Sequence, residues 1–384
     1  MHEARLKQSK GLANRFAAIT YPMHQVTLLE ERLASILPWN RARLKFLARF
    51  LMALLAVRTV NLAEIAAAFG GSVKRESRYK RLQRFFRHFD LPADEWSRLL
   101  VRLCAGPGPW VLSLDRTEWK LGRKHVINFL VLAIAGEGVA YPVCWMALNK
   151  PGASNASERQ ELLGRFVALF GASSIDFLCM DREFGGAAWL GWLLARRIDF
   201  RLRIKSNSLL SNARGEPVSA KRLFGYLPVQ QAAWPRQPRR LWGVMVFVSA
   251  LKLAAAREGD PYLIVVSAHR AEDALEDYAL RWNIETLFGA LKSRGFRLED
   301  TRLHDPARLE KLFGLLALLF MWAHLTGQWV AALQPLRRIA KRAHRLARSV
   351  FRAGLDFLRE LIINPVKSTS SSNLETALHF LSCA

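Results

Sequence analysis

VLSLDRTEWKLGRKHVINFLVLAIAGEGVAYPVCWMAL, residues 111–148, contains three successive runs rich in β-branched and apolar residues, at 111–119, 126–136 and 138–148. Each has the length and composition of a strand, and Gly136-Glu137-Gly138 supplies a hairpin turn between the last two. The period then changes. SERQELLGRFVALFG (157–171) has helical spacing with Ser157 as its expected N-cap, SIDFLCMD (174–181) reads as a short buried strand, GAAWLGWLLARR (186–197) as a helix and DFRLRIK (199–205) as another strand. The order β-β-β-α-β-α-β predicts an α/β core.

Three antiparallel strands followed by alternating helix and parallel strand is the order found in ribonuclease-H-like nucleases, so the expected fold is α/β with a core of that kind over 110–206 and 261–300. Residues 207–260 interrupt it with Pro217, Pro228, Pro235, Pro238 and the strand-like LWGVMVFVSALKL (241–253), and read as a β-rich insertion. PYLIVVSA (261–268) is the last core strand. Residues 1–104 read as a helical basic region, with amphipathic segments near 25–38, 42–57, 61–69 and 74–89, and AGPGPW (105–110) as a linker. Residues 301–384 form a helical C-terminal region that includes PLRRIAKRAHRLARSVFRAGL (335–355), with KSTSSSN (367–373) expected to be flexible.

Lys and Arg number 57 against 32 Asp and Glu, a net charge of +25 on 384 residues. Such a field attracts polyanions, and nucleic acid is the first expectation because neutralising phosphates releases counterions. Basic membrane-surface and ribosome-associated proteins share this composition. Half of the chain is apolar, which excludes a disordered basic tail. Cys104, Cys144, Cys179 and Cys383 are dispersed and lack the spacing of a zinc site. The N-terminal MHEARLKQSKGLANRF lacks the apolar core of a secretion signal. The apolar run 312–333 contains His324, Thr326 and Gln328 and reads as a buried helix rather than a membrane span. A cytoplasmic location, without membrane, is expected.

The helix-like YALRWNIETLFGALK (278–292) places Tyr278, Arg281, Glu285 and Lys292 within an arc of roughly 60° at about 100° per residue. Leu280, Ile284, Leu287 and Leu291 fill a second arc, the face a buried helix needs. A carboxylate flanked by cations marks either a surface ion-pair ladder or a place where metal and phosphate meet. Asp115, after the apolar WVLSL, and Asp181, after IDFLCM, each end a strand-like run. Taken singly, each is explained as well by strand-end solvation or by pairing with Arg116 or Arg182. Together with Glu285 they make three oxygen donors at one sheet edge, a set suited to Mg2+ or Mn2+. In that geometry Asp115 bridges two ions about 3.5–4 Å apart, with Asp181 and Glu285 holding one each, for in-line phosphoryl transfer. Arg281 and Lys292 are then candidates to hold phosphate oxygens, as is Tyr278, which also reads as a capping aromatic.

Near the N-terminus, Asn61 and Glu64 fit a capping box, Gly70-Gly71 ends that segment, and VKRESRYKRLQRFFRHF (73–89) follows. Short helix, glycine turn and longer basic helix have the shape of a helix-turn-helix, with Arg75, Arg78, Arg81 and Arg84 as candidate DNA contacts. A helical hairpin with a solvated basic face reads the same way.

DRTEW at Asp115, DREF at Asp181 and the Y-x2-R-x3-E-x6-K signature at Tyr278, Arg281, Glu285 and Lys292 resemble the DDE transposases of bacterial insertion sequences, in particular the insertion-sequence-four family. The resemblance covers roughly 110–300. It implies a magnesium-dependent enzyme, in the bacterial cytoplasm with the nucleoid, that cuts double-stranded DNA at element ends and joins the 3′-hydroxyls to target DNA. By the same resemblance a homodimer holds the paired ends, and Trp282, beside Arg281, is a candidate for stacking on a flipped base; core packing is its other reading. Two rivals stand beside this reading: a nuclease that hydrolyses without joining strands, and a DNA-binding regulator without activity.

Overall fold

The computed structural model describes residues 23–121, 125–257, 259–337, 346–364 and 369–381. The N-terminal MHEARLKQSKGLANRF and the middle of the 335–355 basic segment lie outside these residues.

Five helices come first: α1 Met23–Ala34, α2 Arg41–Val57, α3 Leu62–Ala68, α4 Arg75–His88 and α5 Ala93–Cys104. The core follows as β1 Trp110–Leu121, β2 His125–Ala135, β3 Ala140–Leu148, α6 Ala156–Phe170, β4 Ile175–Met180, α7 Ala187–Ala195 and β5 Phe200–Ile204. The β2–β3 turn forms where expected, with Gly138 at φ 71 and the Gly136 N–H donating to the Val139 carbonyl at 2.8 Å. Gly136 is required there, since a Cβ would lie 2.6 Å from the Tyr141 ring. The N-cap of α6 is Asn155 instead of Ser157, because Asn155 and Glu158 cap each other reciprocally across the first turn. At α3 only half of the expected box forms: Asn61 accepts from the Ala63 N–H and Glu64 does not reciprocate.

The sheet is mixed, in the order β3-β2-β1-β4-β5-β11-β10-β9-β6-β7, with β8 pairing β10. Its remaining strands are β6 Leu209–Ser211, β7 Pro217–Ser219, β8 Ala232–Ala233, β9 Arg239–Leu241, β10 Val244–Arg257 and β11 Asp260–Ser267; α8, Ala220–Leu223, follows β7. β1 runs antiparallel to β2 and parallel to β4, and β4 parallel to β5. Residues 207–260 are β-rich, and β10 hydrogen-bonds along β11, which pairs with β5. The segment therefore extends the core sheet directly.

Alternation along β1 and β2 divides the core. Leu112 and Leu114 face α6 and α7 with Leu130 and Leu132, while Trp119, Phe129 and Val131 face a helical layer. That layer unites α1–α5 with α10 Asn283–Gly289, α11 Pro306–Leu333, α12 Val350–Ile363 and α13 Thr369–His379, while α9 Ala274–Ala279 packs on β11 and β5. Helices from both ends of the chain thus share one apolar core. α11 is long and apolar enough to cross a membrane, yet two thirds of its most apolar stretch is buried within the protein. The indole N–H of Trp96 donates to Gly314 O and that of Trp145 to Glu310 O, fixing α11 to α5 and β3. From Thr369 onward the segment expected to be flexible is helical, because Leu374, Ala377, Leu378 and Leu381 are buried. Residues 367 and 368 lie outside the described residues.

His324 in α11 is buried between Tyr141 and Phe320, and neither ring nitrogen has a partner among the described residues. Burial pushes its pKa down to about 4. The unfolded chain takes up a proton near pH 6.5 that the folded chain refuses until about pH 4, so this group costs stability as pH falls through that window. His324→Leu is expected to flatten the loss of Tm between pH 6.5 and 4 relative to wild type, read by thermal melts across that range.

Candidate active site

The parallel register decides where the acidic residues meet. Leu114 pairs with Met180, β4 ends there, and the next residues on the two strands are Asp115 and Asp181. Neighbouring strands lie roughly 4.8 Å apart and register partners point to the same side, so the two carboxylates leave the sheet together. Asp115 does not end its own strand, since β1 continues to Leu121. The opening beside it arises because β4 stops.

Glu285 comes from the segment after β11. Residues 274–294 do not form one uniform helix: α9 tightens into a 3-10 turn at Leu280–Trp282, α10 follows, and Ala290–Arg294 is a π-type turn in which Lys292 (φ −81, ψ −122) leaves helical geometry. The single stripe read from sequence is broken accordingly. Tyr278, Arg281 and Glu285 converge, while the Lys292 ammonium donates to the Glu118 carbonyl on β1 at 2.6 Å. Leu280, expected in the buried arc with Ile284, Leu287 and Leu291, is 37% exposed because the tighter turn rotates it outward.

Arg281 is the centre of the arrangement. Its Nη1 donates to Asp115 Oδ2 at 3.0 Å and its Nη2 to Glu285 Oε1 at 2.8 Å, so one guanidinium joins β1 to α10. The Tyr278 hydroxyl donates to Asp181 Oδ1 at 3.1 Å, and Arg203 approaches the same oxygen at 3.8 Å. A cavity of about 560 Å³ opens beside them, lined by Asp181, Arg203, Arg257, Arg281, Trp282 and Glu285 among others. Trp282 is 54% exposed at this wall, with the Arg257 guanidinium over its ring at 5.7 Å.

Burial pushes the Asp115 carboxyl up to about 7, against the pull of Arg281 and of the Arg116 N–H. Burial raises the Tyr278 hydroxyl as well. For Arg281, burial disfavours the charge, but Tyr278, Asp115 and Glu285 outweigh it and the group is held firmly cationic. Burial lowers Lys292. A carboxylate this desolvated is a strong receptor for a cation.

Among the described residues, no set of three or more His, Cys, Asp or Glu side chains is gathered closely enough to hold a metal as it stands; the guanidinium of Arg281 lies between Asp115 and Glu285. The donor chemistry nonetheless fits a hard divalent cation. All three groups are carboxylates, without thiol or imidazole, and Asp115 is deeply desolvated.

The N-terminal candidates divide. α3, Gly70-Gly71 at positive φ, and α4 form as expected. Arg75 donates to Ala63 O and Arg78 to Val73 O and Ala67 O, so both finish the α3 end of the turn, while Arg81 lies over the Phe46 ring at 5.6 Å. Arg84 is exposed. On β5, Arg201 is buried between Asp199 and Asp277 at 2.7 Å each, a structural pair.

The sequence offered Arg116 as an ion-pair partner for Asp115, but its side chain pairs instead, through two 3.2 Å hydrogen bonds, with Glu183, which the sequence did not single out. Their signal was an arginine directly after Asp115 and a glutamate two residues after Asp181.

The comparison with curated proteins gave no match. The family model of a transposase DDE domain matches residues 106–322.

Proposed function

The chain belongs to the transposase DDE domain family, and from that membership we propose that it is an insertion-sequence transposase of the insertion-sequence-four type, with a ribonuclease-H-like core, acting on double-stranded DNA by metal-assisted cleavage and strand transfer. The strand order β3-β2-β1-β4-β5 supports the core assignment. One observation carries the reading: the β1–β4 register sets Asp115 beside Asp181, and Arg281 ties Glu285 to Asp115.

Asp115, Asp181 and Glu285 are the residues that would hold two Mg2+ or Mn2+ ions. Such a pair supplies activation of a water or 3′-hydroxyl and stabilises the leaving 3′-oxygen. The remaining work falls to the chain. Arg281 neutralises Asp115 and Glu285 until phosphate arrives, and its planar fork then suits a non-bridging phosphate oxygen pair. Tyr278 keeps the Asp181 carboxylate oriented and turns its hydroxyl toward a phosphate when released. Lys292, on leaving the Glu118 carbonyl, gives a second cation to the backbone. Trp282 offers an exposed ring at the cavity wall for an unstacked base. Two protomers bind the paired ends.

The reading is tested with duplex DNA ending in the inverted repeats that bracket the reading frame, incubated with the protein in Mg2+ or in EDTA. Joining of the exposed 3′-hydroxyl to target DNA in Mg2+ alone is the expected result. Hydrolysis without joining makes the protein a nuclease, and binding without cutting makes it a regulator.

On the N-terminal side, Arg84 is the exposed candidate that neither closes the α3–α4 turn, as Arg75 and Arg78 do, nor lies over the Phe46 ring, as Arg81 does. Arg84→Ala is expected to weaken DNA binding uniformly across sequences and to reduce the slope of log affinity against log salt by about 1. Fluorescence anisotropy at several salt concentrations measures it; an unchanged slope turns α4 toward solvent.

A further inference from the structure

The two aspartates stand on backbone of unequal security. Asp115 lies inside β1, hydrogen-bonded on through the β2 register. Asp181 lies past the end of β4, where the chain turns through the short 3-10 segment Arg182–Phe184, and its carbonyl accepts one turn bond, from the Phe184 N–H at 3.0 Å. Two carboxylates that share a cation need a fixed separation, and a strand end followed by a turn does not supply one.

A brace supplies it from the opposite face of the sheet. Arg116 alternates with Asp115 and so points toward α6 and α7. Its Nε and Nη2 donate to Glu183 Oε1 and Oε2, both at 3.2 Å, in the two-pronged geometry that best fixes an arginine–carboxylate pair. Its Nη1 donates to Asn128 Oδ1 at 2.5 Å, and Asn128, fully buried, donates to the Lys150 carbonyl at 3.0 Å. Its backbone N–H donates to Asp115 Oδ1 at 2.7 Å, so one residue holds the Asp115 carboxylate with its main chain and the Asp181 turn with its side chain. From the other side, buried Arg159 donates to the Glu183 carbonyl at 3.1 Å while Ser154 Oγ accepts from its Nε at 2.9 Å. The turn after Asp181 is thus held at its side chain and at its main chain.

We propose that Arg116 and Glu183 are positioning residues whose ion pair sets the separation and orientation of Asp115 and Asp181, and through them the affinity of the site for a divalent cation. The proposal rests on the reading of those aspartates as cation holders. Residues behind the ligands of a metal site typically carry about 10- to 100-fold in affinity. Glu183 also lies close enough to act on the charge of Asp115, which makes direct ligation by Glu183 the alternative that the test must separate.

Mn2+ is titrated calorimetrically into the DNA-free full-length protein as wild type, Arg116→Lys, Glu183→Gln, the double variant and Asp115→Asn. Lysine keeps the charge and loses the fork; glutamine keeps the shape and loses the charge. The expected result is about tenfold weaker binding in each single variant, with the double variant no weaker than either, because both changes cut the same link. Double-variant losses that multiply make Glu183 an independent ligand and overturn the brace. Unchanged binding in the brace variants, with binding lost in Asp115→Asn, overturns the brace alone. Unchanged binding in Asp115→Asn, or none in wild type, overturns the cation reading and the brace together. Should Arg116→Lys fail to fold, Glu183→Gln decides: weaker binding upholds the link and equal binding removes it.

Discussion

Asp115→Asn is expected to reduce DNA cleavage in Mg2+ on the order of 10³-fold or more, while the metal-free protein melts at a higher temperature than wild type. The first effect follows from the place of Asp115 between Asp181 and Glu285. Cation stabilisation of the charge that develops on phosphate is worth several kcal/mol, and each 1.36 kcal/mol of barrier is tenfold in rate. The second follows from burial. The Asp115 carboxyl is pushed up to about 7, above the ordinary value near 3.9 of an unfolded chain. Between those values the folded chain binds more protons than the unfolded one, so stability falls as pH rises through that window. Asparagine abolishes the penalty and still offers an oxygen to Arg281. At pH 8 in EDTA the variant therefore gains Tm, and its advantage disappears below about pH 4. An inactive but more stable protein separates a functional loss from misfolding. Cleavage at the wild-type rate, by a folded Asp115→Asn protein, removes the metal-site reading.

The same residues show how far the sequence could be read. The strands around Asp115 and Asp181 were legible because their apolar runs are short, β-branched and bounded by turns, and the hairpin at Gly136–Gly138 is a local decision. What placed the two aspartates side by side is the pairing of Leu114 with Met180, 66 residues apart, which no local pattern encodes. Arg281 and Glu285 were legible as neighbours at i,i+4 spacing. Lys292 was not. A uniform pitch of 100° per residue carries a stripe only while the helix stays uniform, and the 3-10 turn at Leu280–Trp282 and the π-type turn at Ala290–Arg294 each shift the phase. The α6 cap shows a smaller version of the same limit. Ser157 and Asn155 are both good caps, and the reciprocal bond with Glu158 selects Asn155. KSTSSSN was polar enough to suggest mobility, yet the apolar residues beyond it dock and carry the helix back to Thr369.

Gly354→Ala is expected to be the most damaging single-carbon change in the helical layer. α11 and α12 cross backbone to backbone at Gly327 and Gly354: a Cβ on Gly354 would overlap the Ala323 carbonyl and the Gly327 main chain, and a Cβ on Gly327 would overlap the Val350 carbonyl. Main-chain atoms cannot rotate aside as a side chain does, so the helices must separate. Overpacking of this kind costs about 3 kcal/mol or more, which for a chain of this size lowers Tm by about 4 °C or more. The movement has a direction. Phe351 on α12 packs on Phe320 at 5.1 Å and on Phe296 at 5.8 Å, and Gly295, just beyond the Lys292 turn, leaves the room its ring occupies. Displacing α12 disturbs the C-terminal end of the segment that carries Glu285 and Lys292, so cleavage activity should fall at temperatures where the fold survives. Gly164→Ala is the matched control. Gly164 sits in α6 with open space where a Cβ would stand, and alanine there should stabilise the helix by about 0.5–1 kcal/mol. Thermal melts of the two variants therefore move in opposite directions, and a Gly354→Ala protein that melts with the control would mean that α11 and α12 do not cross this closely.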